Sequence, residues 1–345
     1  MAQLSKSRWR WPLLCASLAL IFLEIVWLAY LTPGEADLAH YACYGLTFWL
    51  GSHGANLLPQ TYCAFLQQST PQPLHMLPQE YPPLTVLLFS LPLLVPLPYY
   101  AFVFALLMTI SAGLIYWLLA RYETRQAALV FVLYLLLGAA GVFQERFDIL
   151  PAACTLLCLL AAERGRWRTA YLALALGILL KLYPAVLLPA LFLAEQRARG
   201  RTTVARWNWS NGLLCVGLVL AVMGGFALLN FQTAILSPLA YFLSRPPQIE
   251  ALSASLVWLG GYFGAHYQVS FTFGSLNISS SLIRFISPVN TLLTVVGLLA
   301  IYWLCLRQRV NLAQAFVGLI CVLIATGKVF SPQYLIWLIP LLACL

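Results

Sequence analysis

The chain has 345 residues, 62% of them hydrophobic and 8% charged, with a formal net charge of +9. A soluble domain carries about 25% charged residues, so a soluble enzyme and a disordered chain are both excluded. Apolar runs of about 12–22 residues recur from end to end between short charged clusters, the pattern of an all-α, polytopic integral membrane protein.

Most of the 19 lysines and arginines fall into five clusters: Lys6/Arg8/Arg10, Arg121/Arg125, Arg164/Arg166/Arg168, Arg197/Arg199/Arg201/Arg206 and Arg307/Arg309. The positive-inside rule puts all five, and with them the N-terminus, on the cytoplasmic side, so the chain crosses an even number of times between any two. The positive excess is then an insertion signal and a contact for anionic membrane lipids, and no nucleic acid is implied.

In chain order, residues 11–31 form the first span. Its length and the poor cleavage site Gly34-Glu35-Ala36 make it an uncleaved anchor rather than a signal peptide. Residues 33–98 form a long outer loop with interfacial helices, and the short apolar run 84–95 lies at the outer face. Residues 99–120 return inward; 126–143 go out and 149–162 come back around an outer turn at Gln144–Asp148. Two short helices follow, 169–180 and 182–194, joined at Lys181-Leu182-Tyr183-Pro184, where Pro184 sits at a permitted helix start. Helices this short cross only where the bilayer thins or neighbours cover their ends, which points to a shared cavity near the outer face. Residues 212–231 go out, 232–290 form an outer segment with a re-entrant piece at 255–264, and 291–306 return. Residues 311–327 go out again to the turn 328–333, and the chain ends within the apolar run 334–345. About ten spans result, in a single domain over 1–345.

Seven of the nine cysteines lie in or beside apolar runs, and Cys154/Cys158 at i,i+4 read as small packing residues. Cys43 and Cys63 share the first outer loop and can pair if the compartment is oxidising. The four histidines have no metal-ligand spacing. Asn277-Ile278-Ser279 is a sequon by chance. No cofactor is required; a divalent metal is left open.

Glu123, Glu163 and Glu195 accompany the basic clusters on the inner side; the remaining charges, Glu35, Asp37, Glu80, Glu145, Arg146, Asp148, Lys181, Arg245, Glu250, Arg284 and Lys328, all fall on outer turns, with Glu24 alone inside the first span. Ionisable groups at membrane depth are costly and are usually paired or functional. The chain lacks the glycine-rich phosphate loops of ATP and dinucleotide sites. A membrane-borne phosphate ester suits the basic turns: a carboxylate deprotonates an acceptor hydroxyl, and lysine and arginine stabilise charge on the departing phosphate. A phosphate leaving group needs no acid, so one base suffices. Structural readings compete at single positions. Asp148 can cap the helix that follows it, Arg146 can pair with Glu145 or Asp148, and Glu80 can clamp its loop. At the level of the whole chain, the alternatives are an outer-face glycan polymerase or ligase using a lipid-diphosphate donor, and a lipid or solute transporter. A transporter would place polar groups near the midplane within repeats, and no repeat is visible.

At the same turns the sequence resembles the GT-C membrane glycosyltransferases, in particular the bacterial polyprenyl-phosphate-mannose-dependent mannosyltransferases. The resembling segments are Glu35-Ala36-Asp37, Glu80-Tyr81-Pro82-Pro83-Leu84, Arg146-Phe147-Asp148-Ile149-Leu150-Pro151, Leu180-Lys181-Leu182-Tyr183-Pro184, Arg245-Pro246-Pro247-Gln248-Ile249-Glu250-Ala251-Leu252 and Lys328-Val329-Phe330-Ser331-Pro332-Gln333-Tyr334. The acidic motif is E-x-D where the family has D-x-D, and Ala251 stands where a serine is usual. The resemblance implies an inverting transferase moving mannose from a polyprenyl-phosphate donor to a lipid or glycan hydroxyl outside the cytoplasm. It makes Asp37 the base. Lys181, Arg245 and Lys328 are then expected to bind the donor phosphate, with Glu35, Glu80, Arg146, Asp148, Glu250 and Gln333 in support.

Overall fold

The computed structural model describes residues 36–63, 74–139, 142–201 and 203–345. The expected first span, Glu24 and Glu35 lie outside these. The described chain is mostly helical. Helix α1 (Ala36–Leu50) is followed by the short α2 (Ser52–Asn56), α3 (Thr85–Ser90), α4 (Tyr100–Tyr122), α5 (Arg125–Ala139), α6 (Ile149–Glu163), α7 (Trp167–Leu180) and α8 (Leu188–Ala198). Then come α9 (Ser210–Leu229), α10 (Ser237–Ser244), α11 (Leu252–Tyr262), a hairpin of β1 (Tyr267–Thr272) and β2 (Ser275–Ser280), α12 (Ile283–Leu306), α13 (Leu312–Thr326) and α14 (Leu335–Leu342).

Length sorts these helices against a hydrocarbon layer about 30 Å thick, which at 1.5 Å per residue needs about 20 residues. Three apolar stretches reach it: Leu97–Tyr122, Ser210–Leu229 and Ile283–Leu306. Six further apolar helical stretches, α5, α6, α7 and α13 among them, have only 10–17 residues. Among the described residues, three helices are therefore long and apolar enough to cross, where about ten spans are expected of the whole chain. The long α9 and α12 bury almost none of their surface inside the protein. Their leucines and valines face outward, as lipid contact requires and water would not permit.

The short helices form the centre. One apolar cluster joins α1, α3, α4, α5 and α6 around Tyr41, Phe89, Phe104, Phe131 and Phe147. A second joins α7, α8, α13 and α14 around Tyr171, Leu187, Phe316 and Leu341. Helices α6 and α7 pack closely because Gly177 offers no side chain at the contact. A Cβ there would stand 3.2 Å from Cys154 Cβ and 3.4 Å from Pro184 Cγ. Cys154 and Cys158 are buried, in the packing role expected of them. Pro184 opens the 3-10 turn Tyr183–Leu187 that leads into α8, as its fixed φ and missing N–H allow.

One feature departs from the reading of the sequence. Residues 267–280 form an antiparallel hairpin turned at Phe273-Gly274, both of which have positive φ. The piece at 255–264 falls largely within helix α11, which packs beside that hairpin. Cys43 and Cys63 are joined in a disulfide, tying α1 to the turn Gln60–Cys63.

The bundle has two chemically distinct ends. At one, the guanidinium of Arg164 bonds Leu160 O and Tyr122 O and lies 4.7 Å from the Tyr122 ring, which joins the Arg121/Arg125 and Arg164–Arg168 turns. Buried Glu195, near the end of α8, pairs with Arg199 at 3.0 Å and accepts a 2.7 Å bond from Asn211 Nδ2. Asp148 and Lys181 lie at the opposite ends of α6 and α7 from Arg164 and Arg166.

Candidate active site

Asp37 stands in the first turn of α1, and Tyr41 and Tyr44 follow it at i+4 and i+7 on the same helical face. That face builds the site floor. The fully buried Tyr41 ring stacks on Phe89 at 4.3 Å and meets Tyr81 and Phe147 edge-on at 5.9 and 5.8 Å. Tyr44 donates a 2.7 Å hydrogen bond to Glu80 Oε2. Pro82 and Pro83 are buried behind Glu80 and lead the chain into α3, where Thr85 N bonds Pro82 O at 3.1 Å. Burial pushes the Glu80 carboxyl above its ordinary value, with the Tyr44 hydrogen bond and the Arg245 charge acting the other way. The loop clamp foreseen for Glu80 is thus present, within electrostatic reach of Arg245 and Asp37.

Arg146 pairs with Asp37, and not with Glu145 or Asp148 as the structural alternative had it. Both side chains keep partial access, 23% and 29%, so the pair sits at a wet edge rather than in the core. Asp148 occupies the N-cap position of α6, but its side chain makes no capping bond. The capping alternative therefore fails. Its backbone is itself helical, with φ −57° and ψ −24°, so the carboxylate is not aimed at the N–H groups of the first turn. It turns inward instead, where Oδ1 meets Lys181 Nζ at 2.5 Å and accepts a 2.5 Å bond from Trp337 Nε1. Asp148 is 1% exposed.

Lys181 ends α7 in an extended conformation, φ −157° and ψ 140°, with its N–H still bonded to Gly177 O at 2.9 Å. That break in the helix redirects the side chain into a cage of four rings. The ammonium lies 5.2 Å from Phe147 and Trp337, 5.4 Å from Tyr334 and 5.8 Å from Tyr81. Desolvated cation–π contacts of this kind are worth about 2 kcal/mol. Burial lowers the Lys181 ammonium below its ordinary value, while the charge of Asp148 opposes that shift. Trp337 is fixed between Tyr183 and Tyr334, each stacked at 4.1 Å.

Arg245 and Lys328 form a second basic group. Arg245 donates to Tyr241 Oη at 3.2 Å and to Ser275 Oγ at 2.9 Å. Lys328 Nζ donates to Arg245 O at 3.1 Å and also to Phe242 O. Gln248 N bonds Lys328 O at 2.9 Å, closing the pair of segments on each other. The two groups meet around Glu80 and Tyr334, on both of which the Arg245 charge acts.

Most of the expected residues therefore converge: Asp37, Glu80, Arg146, Asp148, Lys181, Arg245 and Lys328. Gln333 stands at the rim, its Oε1 accepting a 2.5 Å bond from Ser331. Glu250 is exposed and makes no hydrogen bond or ion pair among the described residues. Sequence reasoning missed Tyr41, Tyr44, Tyr81, Phe147 and Trp337, although the first four flank motif charges directly or follow Asp37 at helical spacing. Asn277 of the sequon is fully buried with its amide engaged, so it is not a surface acceptor.

Apolar helices of membrane length, arranged around a polar cluster at one end, define a helical membrane protein with an enzyme-like site. The sequence model of glycosyltransferase family 87 matches residues 80–332. That is well over half of the chain, and the chain belongs to this family: it is a membrane glycosyltransferase. The match runs from Glu80 to Pro332, so it takes in Arg146, Asp148, Lys181, Arg245 and Lys328 and leaves Asp37 before its start. No curated protein and no solved structure matches the chain.

Proposed function

We propose that this glycosyltransferase moves mannose from a polyprenyl-phosphate donor to a hydroxyl of a lipid or glycan outside the cytoplasm, with Asp37 as general base. The observation that carries this reading is the pairing of Asp37 with Arg146 beside the caged Lys181–Asp148 pair. A partly accessible carboxylate is thereby held next to cations at the end of the bundle remote from the Arg121 and Arg164 turns.

In this reaction the acceptor oxygen attacks the anomeric carbon and its proton passes to Asp37. The bond from that carbon to the phosphate oxygen breaks, and the electron pair leaves with polyprenyl phosphate. Arg245, Lys328 and Lys181 meet the phosphate charge, which is greatest as the bond breaks. A single displacement inverts the configuration at the anomeric carbon. Arg146 holds the Asp37 carboxylate in place, and Glu35, two residues earlier, supports it. Asp148 holds Lys181, while Glu80 fixes α1 to the loop; Gln333 and Glu250 contribute at the rim.

The membrane orientation follows from charge. The basic turns at the opposite end favour the cytoplasm, which directs the active site toward the periplasm or exterior. The Cys43–Cys63 disulfide beside the site fits an oxidising compartment. A lipid-linked donor also suits a face without a supply of nucleotide sugars.

The test is direct. Purified protein in detergent or vesicles is given polyprenyl-phosphate-mannose, GDP-mannose or UDP-glucose together with a membrane lipid extract, and radiolabelled product is counted. Transfer from the lipid-linked sugar alone is expected. Transfer that requires a nucleotide sugar would eliminate the lipid-donor reading.

A further inference from the structure

We propose that Ser275 and Asn277, in the β-hairpin, are positioning residues that fix the Arg245 guanidinium for donor phosphate. The inference rests on the reading of Arg245 as a phosphate-binding residue.

A directional chain of hydrogen bonds supports it. Arg245 donates one terminal N–H to Ser275 Oγ at 2.9 Å, and Ser275 Oγ donates onward to Asn277 Oδ1 at 3.2 Å. The Asn277 amide is held from its other side: Nδ2 donates to Thr272 O, to Thr272 Oγ1 at 3.0 Å and to Ser275 O at 3.2 Å. Asn277 thus has both amide atoms committed while fully buried. Its orientation fixes the serine hydroxyl as an acceptor toward Arg245. The other terminal nitrogen of Arg245 donates to Tyr241 Oη, which itself donates to Phe273 O at 3.1 Å. Both arms of the guanidinium therefore end on the hairpin turn.

The backbone repeats the connection. Ile249 N bonds Leu276 O at 3.0 Å and Ile278 N bonds Pro247 O at 2.9 Å, so the segment after Arg245 lies along β2. These bonds use two of the five guanidinium N–H groups. Nε is buried, so the fork meets a further acceptor with the second hydrogens of its two terminal nitrogens, held in advance by the bonds to Tyr241 and Ser275. Orienting such a fork in advance lowers the entropy lost when an anion is bound.

The probe is undecaprenyl phosphate without sugar, with undecaprenol as the uncharged control, titrated onto the full-length protein in detergent. Arg245→Gln should weaken binding of the phosphate and leave undecaprenol unaffected. Ser275→Ala should weaken phosphate binding about tenfold, the scale of one hydrogen bond to a charged group, and Ser275→Thr should restore it. In the Arg245→Gln background Ser275→Ala should cost nothing further. Asn277→Ala should follow Ser275→Ala if it folds; Ser275→Ala, at a partly exposed position, keeps the test decisive if it does not. Unchanged binding in Arg245→Gln would remove the phosphate role and this inference together. Weakened binding in Arg245→Gln with none in Ser275→Ala, or equal losses for phosphate and undecaprenol, would overturn the positioning role alone.

Discussion

Replacing Lys181 by methionine isolates the buried ion pair at the centre of the site. With Nζ 2.5 Å from Asp148 Oδ1, the pair attraction is about 7 kcal/mol at an effective dielectric constant of about 20. Desolvation of both ions offsets much of this, so the pair adds little net stability. Removing one partner is different. Asp148 would keep only the Trp337 N–H, and its Oδ2 already lacks a hydrogen-bond partner among the described residues. Stranding a buried charge in this way costs about 3–5 kcal/mol. The double variant Lys181→Met/Asp148→Asn removes the stranded charge, and it should recover at least about 2 kcal/mol. Unfolding by heat or by graded SDS in mixed micelles reads these differences. If the double variant is no more stable than Lys181→Met, the pair does not couple as described. The same double variant separates folding from function, since it should be folded yet use the lipid donor poorly.

Three further outcomes follow from other parts of the molecule. Because burial raises the Glu80 carboxyl, the folded state binds more protons than the unfolded chain just above the ordinary carboxylate value. Stability from this group is therefore complete at lower pH and is lost as pH rises through the raised value. Glu80→Gln should flatten that slope, read as unfolding temperature between about pH 4 and about pH 7; an unchanged slope would assign it to other groups. Reducing the Cys43–Cys63 disulfide, which closes a sequence separation of 20 residues, should lower stability by about 2–4 kcal/mol. An unchanged unfolding midpoint under reductant, or in Cys43→Ser/Cys63→Ser, would contradict this. Trp337→Phe keeps a ring over Lys181 and removes the donor to Asp148. It should cost about 1–3 kcal/mol and slow transfer less than Lys181→Met does, which a paired assay of stability and rate would check.

Much of the architecture was legible because hydropathy and charge act over short windows. The runs around 100–120, 149–162 and 169–180 gave helices close to where they stand, and Pro184 marked a helix entry through its missing N–H. The hairpin carried a period-two signal, Tyr267-Gln268-Val269-Ser270-Phe271-Thr272, followed by Phe273-Gly274 at the turn. Reading that stretch for spans alone hid it. The site was legible as a set of positions and illegible as a set of pairings. Nothing local tells Arg146 to choose Asp37 over its neighbours Glu145 and Asp148. That choice is made where α1 packs beside the turn before α6. Asp148 looked like a helix cap because capping depends on local sequence, whereas its bond to Lys181 depends on how α6 and α7 cross. The aromatic cage was visible in principle, since Tyr81, Phe147 and Tyr334 each adjoin a motif residue. Only folding brings three such neighbours around one ammonium.

The central claim is that the Asp37 carboxylate takes the acceptor proton. The measurement that tests it most directly is transfer from polyprenyl-phosphate-mannose by Asp37→Asn in vesicles, alongside binding of the donor. The pair with Arg146 is partly exposed and contributes about 1 kcal/mol or less to stability, so the variant should fold and bind donor. Product formation should fall at least about a thousandfold, at the upper part of the range for losing a general base. Undiminished transfer by Asp37→Asn would contradict the account.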